Sequence, residues 1–395
     1  MNILYTATAY PPSTGGAQLH IHQIALRLKE ECKVRAVCFW DQNRSDWLLG
    51  TTLKCDEVDE DYEIAGINVH KLGISKTEKK YLAPWVFVYY PLMQFAVPPI
   101  SRVIQHKLMS FTGGIDIIHN VRIGREPLSY ASMYEARRMG IPFVMTPVHH
   151  PRWKGFMYRT YDKLYRQADA LIALTNSEKE GLLQKGVKEE RIFVTGIGPV
   201  LSENPEPEQF MAKYGIRKPF LLFLGQHYKY KGYQQILEAS KELFKHIPEM
   251  NLVFVGPAIN DSDKFFKRYP DPRIKHLGKL SLEEKTSALS ACNLLCVPST
   301  QESFGGVYVE AWSFGKPVIA CNIPAVSEVV DDGVNGYLVN QKPSEIADRV
   351  IDLIADPDRS ARFGEAGRQK VISHYSWSKL AMQMENIYQH VMSRA

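Results

Sequence analysis

Two glutamates frame the stretch of this sequence where ligand-binding residue types converge most densely. Glu302 and Glu310, with seven residues between them, lie in Pro298-Ser299-Thr300-Gln301-Glu302-Ser303-Phe304-Gly305-Gly306-Val307-Tyr308-Val309-Glu310-Ala311. An apolar strand precedes this run and a helical pattern follows it. Gly305 and Gly306 let the backbone approach a ligand closely. Free N–H groups at a helix start form an anion site. Carboxylates on either side can then accept hydrogen bonds from sugar hydroxyls. Spacing alone leaves a second reading open, a strand–turn–helix with two solvent-facing acids.

Three other segments carry candidate residues. Gly225-Gln226-His227-Tyr228-Lys229-Tyr230-Lys231-Gly232 directly follows an apolar strand. Tyr10-Pro11-Pro12-Ser13-Thr14-Gly15-Gly16-Ala17-Gln18 links the first strand to the first helix, and its glycine pair permits positive φ. Thr146-Pro147-Val148-His149-His150-Pro151-Arg152-Trp153 stands at the carboxyl end of a strand. A solvated lysine, a plain turn and a surface histidine are the ordinary readings of these three. His119 ends a neighbouring strand and is a weaker candidate.

The elements that position these residues alternate. Strand-like runs at 3–6, 34–39, 116–119, 143–146, 170–175 and 192–196 are separated by helical patterns. A second set follows at 220–225, 251–256, 294–297 and 318–321. Alternation of this kind predicts parallel, doubly wound sheets. The fold class is therefore α/β with two Rossmann-like domains. Gly196 to Pro207 is rich in Gly, Pro and acids without periodicity, which marks a linker. The expected domains are 1–200 and 201–376. A C-terminal helix at 377–395 has Leu380, Met384, Ile387 and Val391 at helical spacing and can pack back on the first. Ligands should sit outside the carboxyl ends of the strands, with catalysis in a cleft between the domains.

Bulk properties exclude some classes. A chain of 395 residues exceeds one ordinary core, and 45% hydrophobic with 23% charged residues describes a globular protein. A net charge of +5 suits nucleotides or acidic head groups and is too weak to argue for nucleic acid. The six cysteines lack a zinc-ligand pattern and suit a reducing cytoplasm. Met1-Asn2-Ile3-Leu4-Tyr5 enters a strand with no signal-peptide pattern. Tyr81 to Ile100 is the most apolar stretch, and its four prolines argue against a simple spanning helix. Its aromatics, preceded by Lys76, Lys79 and Lys80, suit either a membrane interface or a core helix with a solvated lysine loop.

Glu302 and Glu310 match the E-x7-E signature of retaining glycosyltransferases of family 4, which have the GT-B fold. Glu310-Ala311 through Gly315-Lys316-Pro317-Val318-Ile319-Ala320 is similar to that family's EA-x-x-x-GKPVIA. Asp332-Gly333-Val334-Asn335-Gly336-Tyr337-Leu338-Val339 resembles its DG-x-x-G-x-LV.

The resemblance implies roles. Glu302 would contact the donor sugar's hydroxyls with backbone N–H groups from Phe304, Gly305, Gly306 and Val307, and Glu310 would hold the ribose. Lys231 would meet the diphosphate. Gln226 stands where family members usually carry an arginine, so one cation is missing there. Lys229 is a candidate replacement. Gly16 would face the donor phosphates and the acceptor. His150 is the preferred match for the family's functional histidine, with His149 beside it. The implied donor is a UDP- or GDP-linked sugar and the acceptor a glycan or lipid-linked sugar. No cofactor is implied. No DxD motif stands in a place suited to a metal, so none is expected to be required; Asp331-Asp332 reads as loop chemistry. The alternatives are a sugar-nucleotide epimerase of the same fold and a non-catalytic nucleotide-sugar-binding protein. A glycosidase would also use paired carboxylates but would not need Lys231. The expected location is the cytoplasm, with contact at the inner membrane face as an extension.

Overall fold

Strands such as Phe-Leu-Leu-Phe-Leu at 220–224 have no polar face to offer water, so helices must cover both sides of their sheet. The computed structural model describes residues 1–394 except 14–15, 41–46, 122–126, 150–154 and 260. The chain divides into two units, Met1–Gly196 with Trp377–Ala395, and Ile197–Ser376.

The first unit contains β1 (Asn2–Ala9), β2 (Lys33–Trp40), β3 (Glu60–Ile64), β4 (Ile67–Lys71), β5 (Ile117–Val121), β6 (Phe143–Thr146), β7 (Ala170–Ala173) and β8 (Ile192–Val194). Their order is β3-β4-β2-β1-β5-β6-β7-β8. All neighbours are parallel except β3, which runs antiparallel to β4 at the edge.

The second unit contains β9 (Phe220–Leu224), β10 (Asn251–Val255), β11 (Ile274–Gly278), β12 (Leu294–Val297), β13 (Val318–Cys321) and β14 (Gly336–Val339). Every pair is parallel, in the order β11-β10-β9-β12-β13-β14. Counted from its own first strand this is 3-2-1-4-5-6, the order of dinucleotide-binding sheets. The topological switch falls between β9 and β12. Both loops that carry the candidate donor residues leave the carboxyl ends of those two strands.

The helix Trp377–Met392 packs on the first unit, burying Trp377, Leu380, Met384, Ile387 and Val391. Its Tyr388 hydroxyl lies 3.0 Å from the Tyr5 hydroxyl and 2.6 Å from His119 Nδ1. His119 Nε2 is 2.8 Å from Thr146 Oγ1. His119 is fully buried, so it is not a lining residue; both ring nitrogens are spent on tying the last helix to the sheet. Burial holds its pKa down at about 3.

The apolar stretch near residue 90 forms two helices, Lys76–Phe87 and Met93–Leu108, joined by a short turn. Ser75 and Glu78 make a reciprocal capping box at the start of the first. Leu82, Val86, Met93, Ala96, Val97 and Ile100 face the core. Among the described residues no helix is long and apolar enough to cross a membrane. All six cysteines are buried, and none forms a disulfide.

Candidate functional site

The loop after β9 and the loop after β12 are stapled to each other. The Tyr230 carbonyl accepts a hydrogen bond from Thr300 N–H at 2.8 Å. Gln341 Nε2 donates to the same carbonyl at 2.9 Å and to the Pro298 carbonyl at 2.7 Å. Gly232 closes the first loop at φ +84°, and a Cβ there would stand 2.6 Å from Pro298 Cγ. Both the left-handed backbone and the close approach therefore demand glycine. Across this junction Lys231 Nζ lies 2.5 Å from Glu302 Oε1. The two side chains are 20% and 12% exposed, so the pair is reachable from solvent but largely screened from it.

Beyond Glu302 the chain turns through Gly305 at φ +90° into the short helix Gly306–Trp312. A Cβ on Gly305 would fall 2.3 Å from the Tyr308 ring. That ring is fixed because the buried Tyr308 hydroxyl donates to the Val297 carbonyl at 2.7 Å. Tyr308 N–H turns back to the Gly305 carbonyl at 3.0 Å. Helix geometry leaves the N–H groups of Gly306 and Val307 without an intrahelical acceptor. The Phe304 side chain is buried against Tyr375, with ring centroids 5.2 Å apart, so only its backbone can face a ligand.

Glu310 lies on the same helix and has a partner that sequence spacing did not show. Lys285 Nζ is 2.8 Å from Glu310 Oε1 and donates to the Val200 carbonyl at 2.7 Å. Lys285 projects from the helix Leu282–Ala291, which a capping box of Ser281 and Glu284 begins. Glu302 and Glu310 thus each carry one lysine.

The helix is held from below. Trp312 Nε1 donates to the Asn335 carbonyl at 2.8 Å. Asn335 in turn donates to Asp331 at 2.7 Å, and Lys370 Nζ is 2.8 Å from the same carboxylate. Asp332 accepts from Leu338 N–H at 2.8 Å. Asp331 and Asp332 are thereby committed to the loop before β14. Among the described residues no cluster of three or more His, Cys, Asp or Glu could hold a metal ion.

Gln226 is exposed, and its carbonyl accepts from Tyr228 N–H at 2.8 Å. Lys229 is exposed as well. His227, between them in sequence, is buried, with Nδ1 3.2 Å from His276 Nε2. Burial, helped by the nearby His276, lowers its pKa to about 4.

In the first unit Gly16 opens the helix Gly16–Leu28, and an added Cβ would meet nothing within 4 Å. Packing therefore gives no reason for glycine at that position. His150 lies outside the described residues. His149 is described and half-buried, with its N–H donating to Glu178 Oε1 at 2.6 Å. Glu178 Oε2 accepts from Leu174 N–H at 2.8 Å. Burial pushes the Glu178 carboxyl up to about 7, against these two N–H donors. The residue before His149, Val148, has φ +47°, rare for a β-branched residue. Glu178 was not legible as part of this loop because its spacing of 29 residues has no sequence signature.

The profile of the family described as "Glycosyl transferases group 1" matches residues 207–370, and that of the "Glycosyl transferase 4-like domain" matches 15–198. The second unit thus carries a group 1 glycosyltransferase domain and the first a glycosyltransferase 4-like domain. Curated relatives include an uncharacterized glycosyltransferase of Methanocaldococcus jannaschii, 28% identical over 55% of this chain and 61% of that protein. The alpha-maltose-1-phosphate synthase of Mycolicibacterium smegmatis is 27% identical over 57% of this chain and 64% of its own. The chain therefore matches about three fifths of the length of these two relatives. The MMP alpha-(1->4)-mannosyltransferase of Mycolicibacterium hassiacum is 26% identical over 71% and 72%. Among solved structures, HepE of Anabaena in complex with UDP-glucose has a TM-score of 0.74 at 19% identity, covering 99% of this chain and 100% of that one. Sucrose-phosphate synthase of Thermosynechococcus elongatus also reaches 0.74, at 17% identity and full coverage of both. These likenesses show the GT-B fold.

Proposed function

We propose that this protein is a retaining glycosyltransferase. It moves a hexose from a nucleoside diphosphate sugar to a glycan or lipid-linked acceptor. The observation that carries this reading is the Lys231–Glu302 pair at the switch point between β9 and β12, with Glu302 four residues before the start of the helix Gly306–Trp312, whose first N–H groups have no intrahelical acceptor. A diphosphate outcompetes one carboxylate for an ammonium, because it carries more charge and more acceptor oxygens. On donor binding Lys231 turns to the diphosphate, and Glu302 is released to accept hydrogen bonds from the sugar. Gly306 and Val307 N–H groups meet anionic oxygens next to it. Glu310 holds the ribose with the oxygen that Lys285 leaves free, and the lysine fixes the orientation of the carboxylate. Solved neighbours in complex with UDP-glucose and with UDP support a nucleotide-sugar donor.

The chemistry then needs no protein nucleophile. The acceptor hydroxyl attacks from the face the nucleotide leaves, so configuration is retained, and the departing phosphate takes the acceptor proton. Lys231 and the two N–H groups stabilise that leaving group as its charge develops. With these donors in place we expect transfer to proceed without a divalent metal. Activity should survive exhaustive chelation; a strict requirement for added Mg2+ or Mn2+ would reject this part.

Glu302→Ala should abolish transfer, while full activity in that variant would remove the assigned site. The exposed Gln226, in place of a second cation, favours one rival: a protein that binds the donor without turning it over. Incubation with donor and a panel of acceptors separates the two, since only the transferase releases nucleoside diphosphate together with a new glycoside. An epimerase would release free sugar or its epimer with no acceptor present.

A further inference from the structure

The helices Lys76–Phe87 and Met93–Leu108 present an outer face that ordinary solvated helices do not have. From Tyr81 to Ser101 the chain carries no Asp, Glu, Lys, Arg or His. The core side is filled in the usual way, but the outer side is also apolar. Phe87 is 76% exposed, Phe95 59% and Leu92 47%, all close to the turn that joins the helices. Tyr81 and Pro84 continue the patch along the first helix. Phe156, 55% exposed, extends it from another loop, with Arg159 stacked over its ring at 3.8 Å and reaching Gln94 at 3.5 Å. An exposed apolar patch of this kind marks an interaction site.

Charge decides what the patch meets. Besides Arg159 at the edge of the tip, two exposed cations stand behind it at equal distances. Lys80 precedes Phe87 by seven residues, and Arg102 follows Phe95 by seven. Seven residues are two helical turns, so each cation lies about 10 Å back from its phenylalanine along the same helix face. Tyr81 and Arg102 line one groove between the helices together with Glu78, whose carboxylate is paired with Lys107 at 3.3 Å, and His106, which sets the two helices antiparallel and Lys80 and Arg102 on the same side of the tip. An apolar tip with cations one head-group depth behind it fits an anionic bilayer. The tip enters the acyl boundary while the long side chains reach the phosphates. A protein partner of complementary shape would not need that spacing.

We propose that this helical hairpin docks the protein on anionic lipid bilayers, with Phe87, Leu92 and Phe95 inserting and Lys80 and Arg102 at the phosphate level. The docking is independent of the donor site, and the insertion is peripheral.

The test is co-sedimentation of the full chain with vesicles of equal parts phosphatidylglycerol and phosphatidylcholine, and with phosphatidylcholine alone. The bound fraction should be at least tenfold higher on the anionic vesicles. Phe87→Ser with Phe95→Ser should lower it at least tenfold, and Lys80→Gln with Arg102→Gln should erase the preference for anionic lipid. The substituted side chains are exposed, so an unchanged melting temperature shows that each variant is folded. No binding to either vesicle, or binding that both double variants retain, overturns the proposal. Lipid-free dimerisation that the Phe87→Ser, Phe95→Ser variant abolishes would overturn it in favour of a second copy of the chain.

Discussion

Lys285 and Gln226 show how much a single side chain alters the reading of a site. Glu310 sits 25 residues from Lys285 in sequence, and nothing in their spacing announces the contact. Glycines and glutamates around residue 305 were legible because their types, order and spacing are unusual together. Lysine is common on helix surfaces, so Lys285 gave no such signal. With Glu310 only 11% exposed, removal of its partner leaves a poorly solvated carboxylate. Lys285→Met should therefore raise the donor KM about tenfold with little change in kcat, in steady-state kinetics at saturating acceptor. An equal fall in kcat would place Lys285 in the reaction itself. Gln226 makes the opposite case. It is exposed at the mouth of the β9 loop, so Gln226→Arg should fit without strain. It should tighten nucleoside diphosphate binding by roughly tenfold, the value of one charge-assisted contact. Unchanged affinity in calorimetry would mean that this position does not face the diphosphate.

At the scale of elements, an apolar run such as Leu294–Val297 ends where its apolar residues end. Buried parallel strands have no other way to look. Four strands were not legible. Glu60–Ile64 is a half-exposed edge strand full of acids, and Ile67–Lys71 pairs with it through a two-residue turn. Ala65 and Gly66 both adopt positive φ there, in a turn usually marked by Asn-Gly. Ile274–Gly278 carries Lys and His at a sheet edge, and Gly336–Val339 is only four residues long. The loops that matter were placed correctly at strand ends, but their mutual staple was not. Gln341 comes from beyond β14 and reaches both loops. Gly232→Ala tests that staple: the Cβ must enter a space already held by Pro298 in a left-handed conformation. It should cost on the order of 1–3 kcal/mol in denaturant unfolding and weaken donor binding as well. A stable variant with normal donor affinity would show that the junction is not what sets Lys231 against Glu302.

For the molecule as a whole, buried histidines set the response to acid. Burial holds His20, His22 and His227 down at about 4 and His119 at about 3. In the unfolded chain these imidazoles take up protons once the pH falls below about 6.5, while in the native protein they do not until the pH nears their lowered values. Their contribution to stability is full above about 6.5 and is lost as the pH falls toward 4. Glu178 acts in the other sense: its folded value of about 7 lies above the ordinary glutamate value, so its share is lost as the pH rises from about 4.5 to 7. Four groups oppose one. The melting temperature should be lower at pH 5 than at pH 7.5, and a rise on acidification would contradict the balance. The division of the chain into two units was visible in the repeat of strand and helix. The use of His119 was not. Its strand-end position resembles that of a lining residue, and its partner Tyr388 lies 269 residues away on the last helix.

The central claim is that the ammonium of Lys231, paired with Glu302, receives a diphosphate. Isothermal calorimetry tests it most directly, with whichever of UDP, GDP or ADP raises the melting temperature of the native protein. Lys231→Met should weaken that nucleotide at least tenfold and bring its affinity close to that of the matching monophosphate. If the variant binds the diphosphate as tightly as the native chain, the account of this site is wrong.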